Sequence, residues 1–390
     1  MAVNLTNADS ALKSYYLDVV KDKLNYSVNP FLAAIKHSTE DVYGKDVRKL
    51  AVHGLNGGIG AGTEDGKLPA SSSNNYTQLV STLKNIYGTI EISDKAIRAS
   101  QSDTGAFVSL LNAEMEGLIN ASTYNFGRML FGDGTGKIAK VACVNPEGVL
   151  VDSVEKLKVG MVVDFCTLEG EIIPGGASRK IADIDVINST FNVVGEPLAN
   201  EDITADCILT VQGSCNNEIT GLGAIFGNAS TLYGIDRVGN DWLKPYKAQV
   251  SDITENDIQT ALDEIEIASG NSVNFIVCSW GVRRALIKLL SENRSNIHTM
   301  ELTGGFKAIS YNGIPIVADR FCPKGTMYLL NTDDFSLNQL CDWQWMEGDD
   351  GKVLRQVPGK PVYTATLVKY VELMCSRPCG QGMISGIKEA

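Results

Sequence analysis

The residues of this chain whose types and spacing could do chemistry are a serine after two small residues, three histidines, two aspartate pairs and a glycine-rich turn ending in lysine. Gly176-Ala177-Ser178-Arg179-Lys180 has the first glycine and the serine of a nucleophile elbow, but Lys180 stands where the closing glycine belongs. A serine nucleophile also needs a base held by a third group, and the histidines on offer, His37, His53 and His298, fall in an arm, at a loop edge and after a helix. Gly132-Asp133-Gly134-Thr135-Gly136-Lys137-Ile138 resembles a phosphate loop only superficially. It has three residues between the relevant glycines where four are needed, Ile138 where a hydroxyl must reach Mg²⁺, and a helix before it instead of after it. The Gly57–Gly62 cluster fits no dinucleotide fingerprint.

Asp333-Asp334 and Asp349-Asp350-Gly351 read as solvated turns, and Arg283, Arg284, Lys288 and Arg294 as a solvated helix face. Nine cysteines, an odd number with no Cys-x-x-Cys, include several inside strand-like runs such as Phe275–Cys278, so they read as buried, reduced thiols. Cys375 and Cys379 are the one close pair, with no histidine near them to complete a zinc site. The expectation is therefore no catalytic residue, no cofactor and no metal.

The elements around these residues are better defined. Leu12, Tyr15, Tyr16, Val19 and Val20 form a helical stripe in an N-terminal arm, and Asn29-Pro30 breaks the chain before the apolar piece Phe31–Ile35. Val47–His53 and Ile86–Ser93 read as two strands. Between them, Gly54–Tyr76 carries Gly54, Gly57, Gly58, Gly60, Gly62, Gly66 and Pro69 and too few apolar residues for a core of its own. That connection exceeds the ~12–15 residues at which structureless loops become suspect, so it is either floppy or ordered by something outside this fold. Residues 103–131 carry the strongest helical period, through Phe107, Leu111, Met115, Leu118, Ser122, Phe126 and Met129, with Asp103 as cap and Gly132-Asp133-Gly134 as stop. Such a helix is roughly 40 Å long.

Residues 141–215 switch to period two with frequent turns. Leu157–Asp164, Ile181–Val186 and Thr190–Val194 read as strands of a small barrel-like or sandwich-like β-domain. An α+β stretch follows, with a capping-box helix from Thr254 to Gly270, a strand at Asn274–Cys278 and a helix at Val282–Leu290. A hairpin turning on Asn312-Gly313 comes next, then a strand at Thr326–Asn331. A long strand, Tyr363–Met374, and a Gly-rich tail close the pattern.

The 390 residues are 44% hydrophobic and 21% charged, which excludes global disorder and suggests two to three domains. With 34 basic and 46 acidic residues the net charge is −12, so a dedicated nucleic-acid binder is excluded unless a local basic face exists. No targeting segment and no ~18-residue apolar span is seen, and the chain reads as made and used in soluble form, with no membrane partner. What survives is shape: an arm, a long hairpin that cannot bury its own tip, one very long helix and two further bodies. Such protrusions are expected where neighbouring subunits supply the missing surface.

In this order the segments resemble the major capsid protein of tailed bacteriophages, with its Hong Kong 97-type fold. Gly54-Leu55-Asn56-Gly57-Gly58-Ile59-Gly60 and Glu64-Asp65-Gly66-Lys67-Leu68-Pro69 are similar to the tip of the family's extended loop, and Leu83-Lys84-Asn85-Ile86-Tyr87-Gly88 to its returning strand. The helix over 103–131 is similar to the spine helix. Asn217–Leu222 with Leu232–Arg237 resembles the return through the peripheral domain, and Tyr311–Asp319 with Tyr328–Asn331 the axial-domain hairpin and strand.

The resemblance implies an α+β chain divided as N-terminal arm 1–45, extended loop 46–95, spine helix and peripheral domain 96–140, inserted β-domain 141–215, peripheral domain 216–249, axial domain 250–360, and C-terminal return strand and tail 361–390. It implies pentamers and hexamers closing an icosahedral or prolate shell around double-stranded DNA without sequence-specific binding, in a virion assembled in the host cytoplasm. A portal is an implied partner, with a decoration protein or a separate scaffold as further ones; the arm starts at Met1, so a scaffold is expected to be a separate protein or absent. Inter-subunit contacts are expected from Gly57, Gly58, Gly60, Gly62, Glu64, Lys67, Leu68 and Pro69 of the loop, and from Tyr15, Tyr16 and Phe31 of the arm. The glycines would give positive φ and close approach to the neighbour. Two alternatives stay open: an encapsulin-type nanocompartment shell, which shares the fold, and a two-domain hydrolase with a loop lid over Ser178, His298 or Asp333.

Overall fold

The computed structural model describes residues 23–24, 29–95, 104–145, 148–195, 207–293, 299–302, 306–349 and 351–389. The stripe over Leu12–Val20 with Tyr15 and Tyr16, the Asp103 cap, Arg294 and His298 lie outside them. The chain forms two compact units, Met1–Tyr124 with Asn228–Ala390, and Asn125–Gly227.

The first unit opens with α1 (Pro30–Ala34), β1 (Lys36–Ser38), β2 (Val42–Tyr43), β3 (Asp46–His53), β4 (Asn75–Thr82), β5 (Lys84–Ser93) and α2 (Thr104–Leu130), whose last turns belong to the second unit. The second unit carries β6 (Lys137–Asn145), β7 (Gly148–Val151), β8 (Val162–Cys166), β9 (Arg179–Asp185), β10 (Thr190–Val193), β11 (Ile208–Val211) and α3 (Leu222–Ile225). The first unit resumes with β12 (Thr231–Leu232), β13 (Ile235–Asp236), β14 (Tyr246–Gln249), α4 (Glu255–Ser269), β15 (Phe275–Cys278), α5 (Trp280–Asn293) and β16 (Thr299–Glu301). It ends with β17 (Lys307–Tyr311), β18 (Ile314–Ala318), β19 (Met327–Leu330), β20 (Phe335–Trp345), β21 (Arg355–Gln356), β22 (Val362–Cys375) and β23 (Gly382–Ser385).

Two sheets organise the first unit. In one, β22 lies between β20 and β5, pairing antiparallel with both, and β1 adds parallel to β20. Part of the expected helical stripe packs on this sheet: Met115 joins Ile90, Ile92, Trp343, Trp345 and Leu367 in one buried cluster and Leu118 packs against it, together with Ile119, which the stripe did not include; the side chains of Phe107 and Leu111 lie outside the described residues. Gly88 is what lets the helix come close, since a Cβ there would sit 2.8 Å from the Leu118 Cδ1. The strand at 84–93 thus pairs with the C-terminal strand and does not return the extended hairpin. That return is made by β4, whose polar run Asn75-Tyr76-Thr77-Gln78 gave no alternation to read.

The other sheet has seven strands in the order β14-β23-β19-β15-β18-β17-β16. Thr254 caps α4 through a reciprocal box with Asp257, and Gly270 ends it in the left-handed region at φ 68°. The Asn312-Gly313 turn takes φ 49° and 83°, the two positive values a two-residue hairpin loop requires, with Tyr311 opposite Ile314. Ile258, Ala261 and Ile265 of α4 and Val282, Leu286 and Leu290 of α5 share a buried cluster with Ile276, Ile316 and Leu329 of the strands. The Gly-rich tail is corrected to a buried inner strand: β23 sits between β14 and β19, and Gly382 has no Cβ because Ile265 Cδ1 occupies that space at 2.4 Å. Asp334, expected in a solvated turn, is instead buried and accepts from Gln381 Nε2 at 3.2 Å.

The second unit is a closed six-stranded barrel, β10-β7-β6-β11-β8-β9, filled by Val141, Val151, Val163, Phe165, Ile181, Phe191 and Leu209. The first strand of the barrel opens at Lys137, four residues before the expected 141. Below it Arg128, on the last turn of α2, makes a bidentate pair with Glu218, both buried; Arg128 Nη1 reaches Glu218 Oε2 at 3.0 Å and Nη2 bonds Oε1. Glu218 opens the Ile219–Gly223 segment, whose glycines lie against the carbonyls that end the helix: a Cβ on Gly221 would meet the Met129, Leu130 and Gly132 oxygens.

Removing one partner of this pair leaves a buried charge alone, which costs about 3–5 kcal/mol. Arg128→Met should therefore lower the urea midpoint of the second unit markedly, whereas Arg128→Met with Glu218→Leu should recover most of the loss; tryptophan-independent far-UV melts of both variants check this. Asp319, following β18, supplies a pH test. It is only 4% exposed, and burial pushes its carboxyl up to about 6 against the opposing Phe321 N–H and Arg320. The raised value means ionisation destabilises the fold, by on the order of 3 kcal/mol once pH passes 6. Asp319→Asn should raise the Tm at pH 7.5 and leave it unchanged at pH 4.

Candidate functional site

The hairpin β3–β4 projects the residues singled out from the sequence. Its eight pairs run from Asp46 opposite Thr82 to His53 opposite Asn75. Strand alternation divides them into two faces. One face is used by the chain itself: Val47, Ala51 and Leu79 are buried, Lys49 Nζ donates to Ser336 Oγ at 3.0 Å, and the His53 ring stacks on Trp242 at 4.8 Å. The root is fixed by backbone as well, through Val80 N–H to Tyr233 O and Leu83 N–H to Lys45 O. The other face leaves Leu50, Val52 and Tyr76 exposed, Val52 directly opposite Tyr76.

Beyond His53 the two legs stay close. A Cβ on Gly57 would lie 3.2 Å from Ser72 Oγ, and one on Gly60 3.2 Å from Pro69 Cγ. Asn56 ties the legs by donating to Asn74 Oδ1 at 3.0 Å while accepting from the Gly58 N–H at 2.8 Å. The turn closes with Gly66 N–H to Thr63 O at 2.9 Å. Positive φ falls at Gly54 (71°) and not at Gly57, Gly58, Gly60 or Gly62, so the expected conformational role of those four is corrected: Gly57, Gly58 and Gly60 make room for the opposite leg of the same loop, while a Cβ on Gly62 would meet only Lys67 O at 4.0 Å.

Gly57, Gly60, Gly62, Glu64, Lys67, Leu68 and Pro69 are all exposed on this tip, with Gly58 half-buried. The decisive side chains are Leu55, Ile59 and Leu68, 92%, 89% and 91% exposed. Sequence reasoning singled out only Leu68. The signal for the others was present, since Leu50 and Val52 put apolar groups on the strand face opposite Val47 and Ala51, more than a one-sided hairpin needs. Phe31 of the arm is corrected too: its ring is fully buried, edge-on to Phe335 of its own chain at 5.2 Å, and so has no surface to offer a neighbour.

Of the residues considered for catalysis, His298 lies outside the described residues. Ser178 lies in the barrel unit, with Gln212 Nε2 donating to its Oγ at 3.0 Å, while His53 is held by Thr77 Oγ1 at 2.8 Å in the first unit. In the glycine turn after α2, Asp133 Oδ1 accepts from the Thr135 N–H and hydroxyl, so a carboxylate already occupies the place of a phosphate. None of the nine cysteines is in a disulfide, and among the described residues no group of three His, Cys, Asp or Glu side chains is placed to hold a metal.

The chain matches no family model and no curated protein sequence. Its fold does match a solved one. The capsid asymmetric unit of cyanophage A-1(L) aligns with a TM-score of 0.54 and 13% identity, over 94% of this chain and 92% of that one. The fold is a phage capsid fold. The mixed α+β class expected from the sequence agrees with it. The holo-SrpI encapsulin of Synechococcus elongatus (TM-score 0.49, 10% identity, 93% and 89% covered) and Mycobacterium phage Bobi (0.46, 8%, all of both chains) also align, at levels that bear no weight here.

Covering Leu50, Val52, Leu55, Ile59, Leu68 and Tyr76 would contribute on the order of 10 kcal/mol, against an association cost of about 4–15 kcal/mol. One covered hairpin is thus near break-even, and self-association needs many. Replacing Leu55, Ile59 and Leu68 with Asp should leave the circular dichroism spectrum and Tm of the subunit unchanged but raise the concentration at which it self-associates by over 100-fold, read by light scattering.

Proposed function

We propose that this chain is the major capsid protein of a tailed bacteriophage, which self-assembles as pentamers and hexamers into an icosahedral or prolate shell around double-stranded DNA. The observation that carries the reading is the hairpin tip: three large apolar side chains about nine-tenths exposed on an ordered protrusion whose root is locked into the subunit. Exposed apolar surface of this kind marks a place where a protein partner packs, and a second copy of the chain is the partner this reading assigns. The fold shared with a cyanophage capsid chain supports the same reading.

On this reading β3–β4 and the tip are the extended loop, α2 is the spine helix, the sheet around β22 belongs to the peripheral domain and the seven-stranded sheet to the axial domain. The loop residues Gly57 to Pro69 and the arm residues Tyr15 and Tyr16 lie on neighbouring subunits. The barrel is an insertion. The shell wall encloses DNA without binding it tightly, as the net charge of −12 favours. Catalysis has no part in it, and a portal and a separate scaffold or decoration protein are the partners. The protein resides in the virion after assembly in the host cytoplasm.

Electron microscopy of the protein expressed with its neighbouring genes tests this. Closed polyhedral shells with nuclease-protected double-stranded DNA are expected. Small shells free of DNA would instead indicate an encapsulin-type compartment, and a persistent monomer at high concentration would remove the assembly reading.

A further inference from the structure

Strand β8 turns a polar face away from the barrel interior. Val163 and Phe165 fill the barrel, so Asp164 and Cys166 alternate onto the opposite side. Both are buried there, Cys166 fully. The segment leaving β11 covers them. The Gly213 N–H donates to Asp164 Oδ2 at 2.7 Å, and Thr210, opposite Asp164 in the ladder, has its Oγ1 3.6 Å from the Cys166 Sγ. Cys215 comes two residues past Gly213, as Cys166 comes two past Asp164. A turn closed by Gly170 N–H to Thr167 O starts directly after Cys166 and lies over Cys215, where a Cβ on Gly170 would sit 3.6 Å from the Sγ. The two thiols meet in this enclosure and share a hydrogen bond.

Their exposures differ. Cys215 is half-buried, which leaves a way in for a reagent, whereas Cys166 is sealed behind it. Burial first, and then the bond to Cys166, hold the Cys215 thiol above its ordinary range, so it is a slow nucleophile that stays reduced while the chain folds. The segment that carries Cys215 is also the one that leaves the barrel: Asn216 N–H donates to Thr135 O, and Glu218 pairs with Arg128.

We propose that Cys166 and Cys215 form a redox-sensitive clasp, which a low-molecular-weight disulfide closes and a thiol reductant opens, tying the exit segment of the barrel to β8. In the first step the Cys215 thiolate attacks one sulfur of the oxidant, forming a mixed disulfide and releasing one small thiolate. The Cys166 thiolate then attacks the Cys215 sulfur and releases the second. Two protein thiols are oxidised, one small disulfide is reduced to two thiols, and the protons lost by the cysteines end on those thiols. The bond closes a loop of roughly 50 residues, which restricts the unfolded second unit. On the shell reading the chain folds where thiols are kept reduced, and the finished particle leaves for a medium without reductant. Both thiols lie in the second unit, so the clasp goes beyond that reading and does not depend on it.

The test uses the full chain, unassembled, purified with reductant and then held for a day at pH 8 in oxidised glutathione. A digest mapped without reduction should contain a peptide joining Cys166 to Cys215, lighter by about 2 Da than the sum of its two thiol parts. Oxidation should raise the melting temperature of the second unit by at least about 5 °C, and dithiothreitol should reverse the shift. With Cys166→Ser, glutathione should instead remain on Cys215 and the melting shift should vanish. A mixed disulfide that persists on Cys215 of the unaltered chain would overturn the clasp, as would recovery of both thiols unmodified. A joined peptide without the melting shift would overturn its action on the exit segment. None of these outcomes bears on whether the chain forms shells.

Discussion

The interaction on which the rest depends is the ladder between Lys84–Ser93 and Val362–Cys375. Ten residues pair along it, and the same C-terminal strand pairs on its other side with Phe335–Trp345, so three segments far apart in sequence are fixed as one sheet. A single residue, Leu83, separates this ladder from the hairpin's returning strand, and it is buried with its N–H on Lys45 O. The direction in which the hairpin leaves the subunit is thus set by the ladder and not by the loop. The helix packed on the same sheet through Met115, Ile119 and the Gly88 gap stiffens it further.

The sheet also contains a charge where none would be placed for stability alone. Lys369 is fully buried, reaching Asp342 Oδ1 at 2.8 Å and lying 5.5 Å from the Trp343 ring centroid. Like the Arg128–Glu218 pair in the barrel unit, this arrangement is satisfied only in one register, since slipping a strand by one residue would send the ammonium to the opposite face. Both pairs therefore act more on uniqueness than on net stability. They sit at the two structures that must not slip, the central ladder and the end of the long helix.

Elements with local causes were legible in the sequence. The helix at 104–130, the Thr254 capping box and the Asn312-Gly313 turn depend on residues within a few positions of one another, and each formed where its spacing placed it. The strands that escaped notice depend on distant partners. Gly382–Ser385 reads as tail because what makes it a strand is Ile265 over Gly382 and neighbours from Tyr246–Gln249 and Met327–Leu330. Asp334 was misread for a related reason, its partner Gln381 lying 47 residues away. At the hairpin, glycine content located the tip, and apolar Leu50 and Val52 alternating with apolar Val47 and Ala51 was the one sign of two apolar faces; only the pairing of β3 with β4 shows that Leu50 and Val52 take the outer one.

The barrel unit has a narrow neck. The Asn216 N–H donates to Thr135 O at 2.9 Å, and β6 and β11, the first and last strands of the barrel, are paired neighbours. The chain enters and leaves this body through one gate a single hydrogen bond wide, with its hydrophobic cluster complete inside. That neck makes the body excisable in principle: a short turn joining Thr135 to Asn216 would bridge the gap, and another closed domain with adjacent termini would fit the same two residues. A lineage carrying such a gate can gain, lose or exchange a whole body in one recombination event, without disturbing the ladder that orients the hairpin.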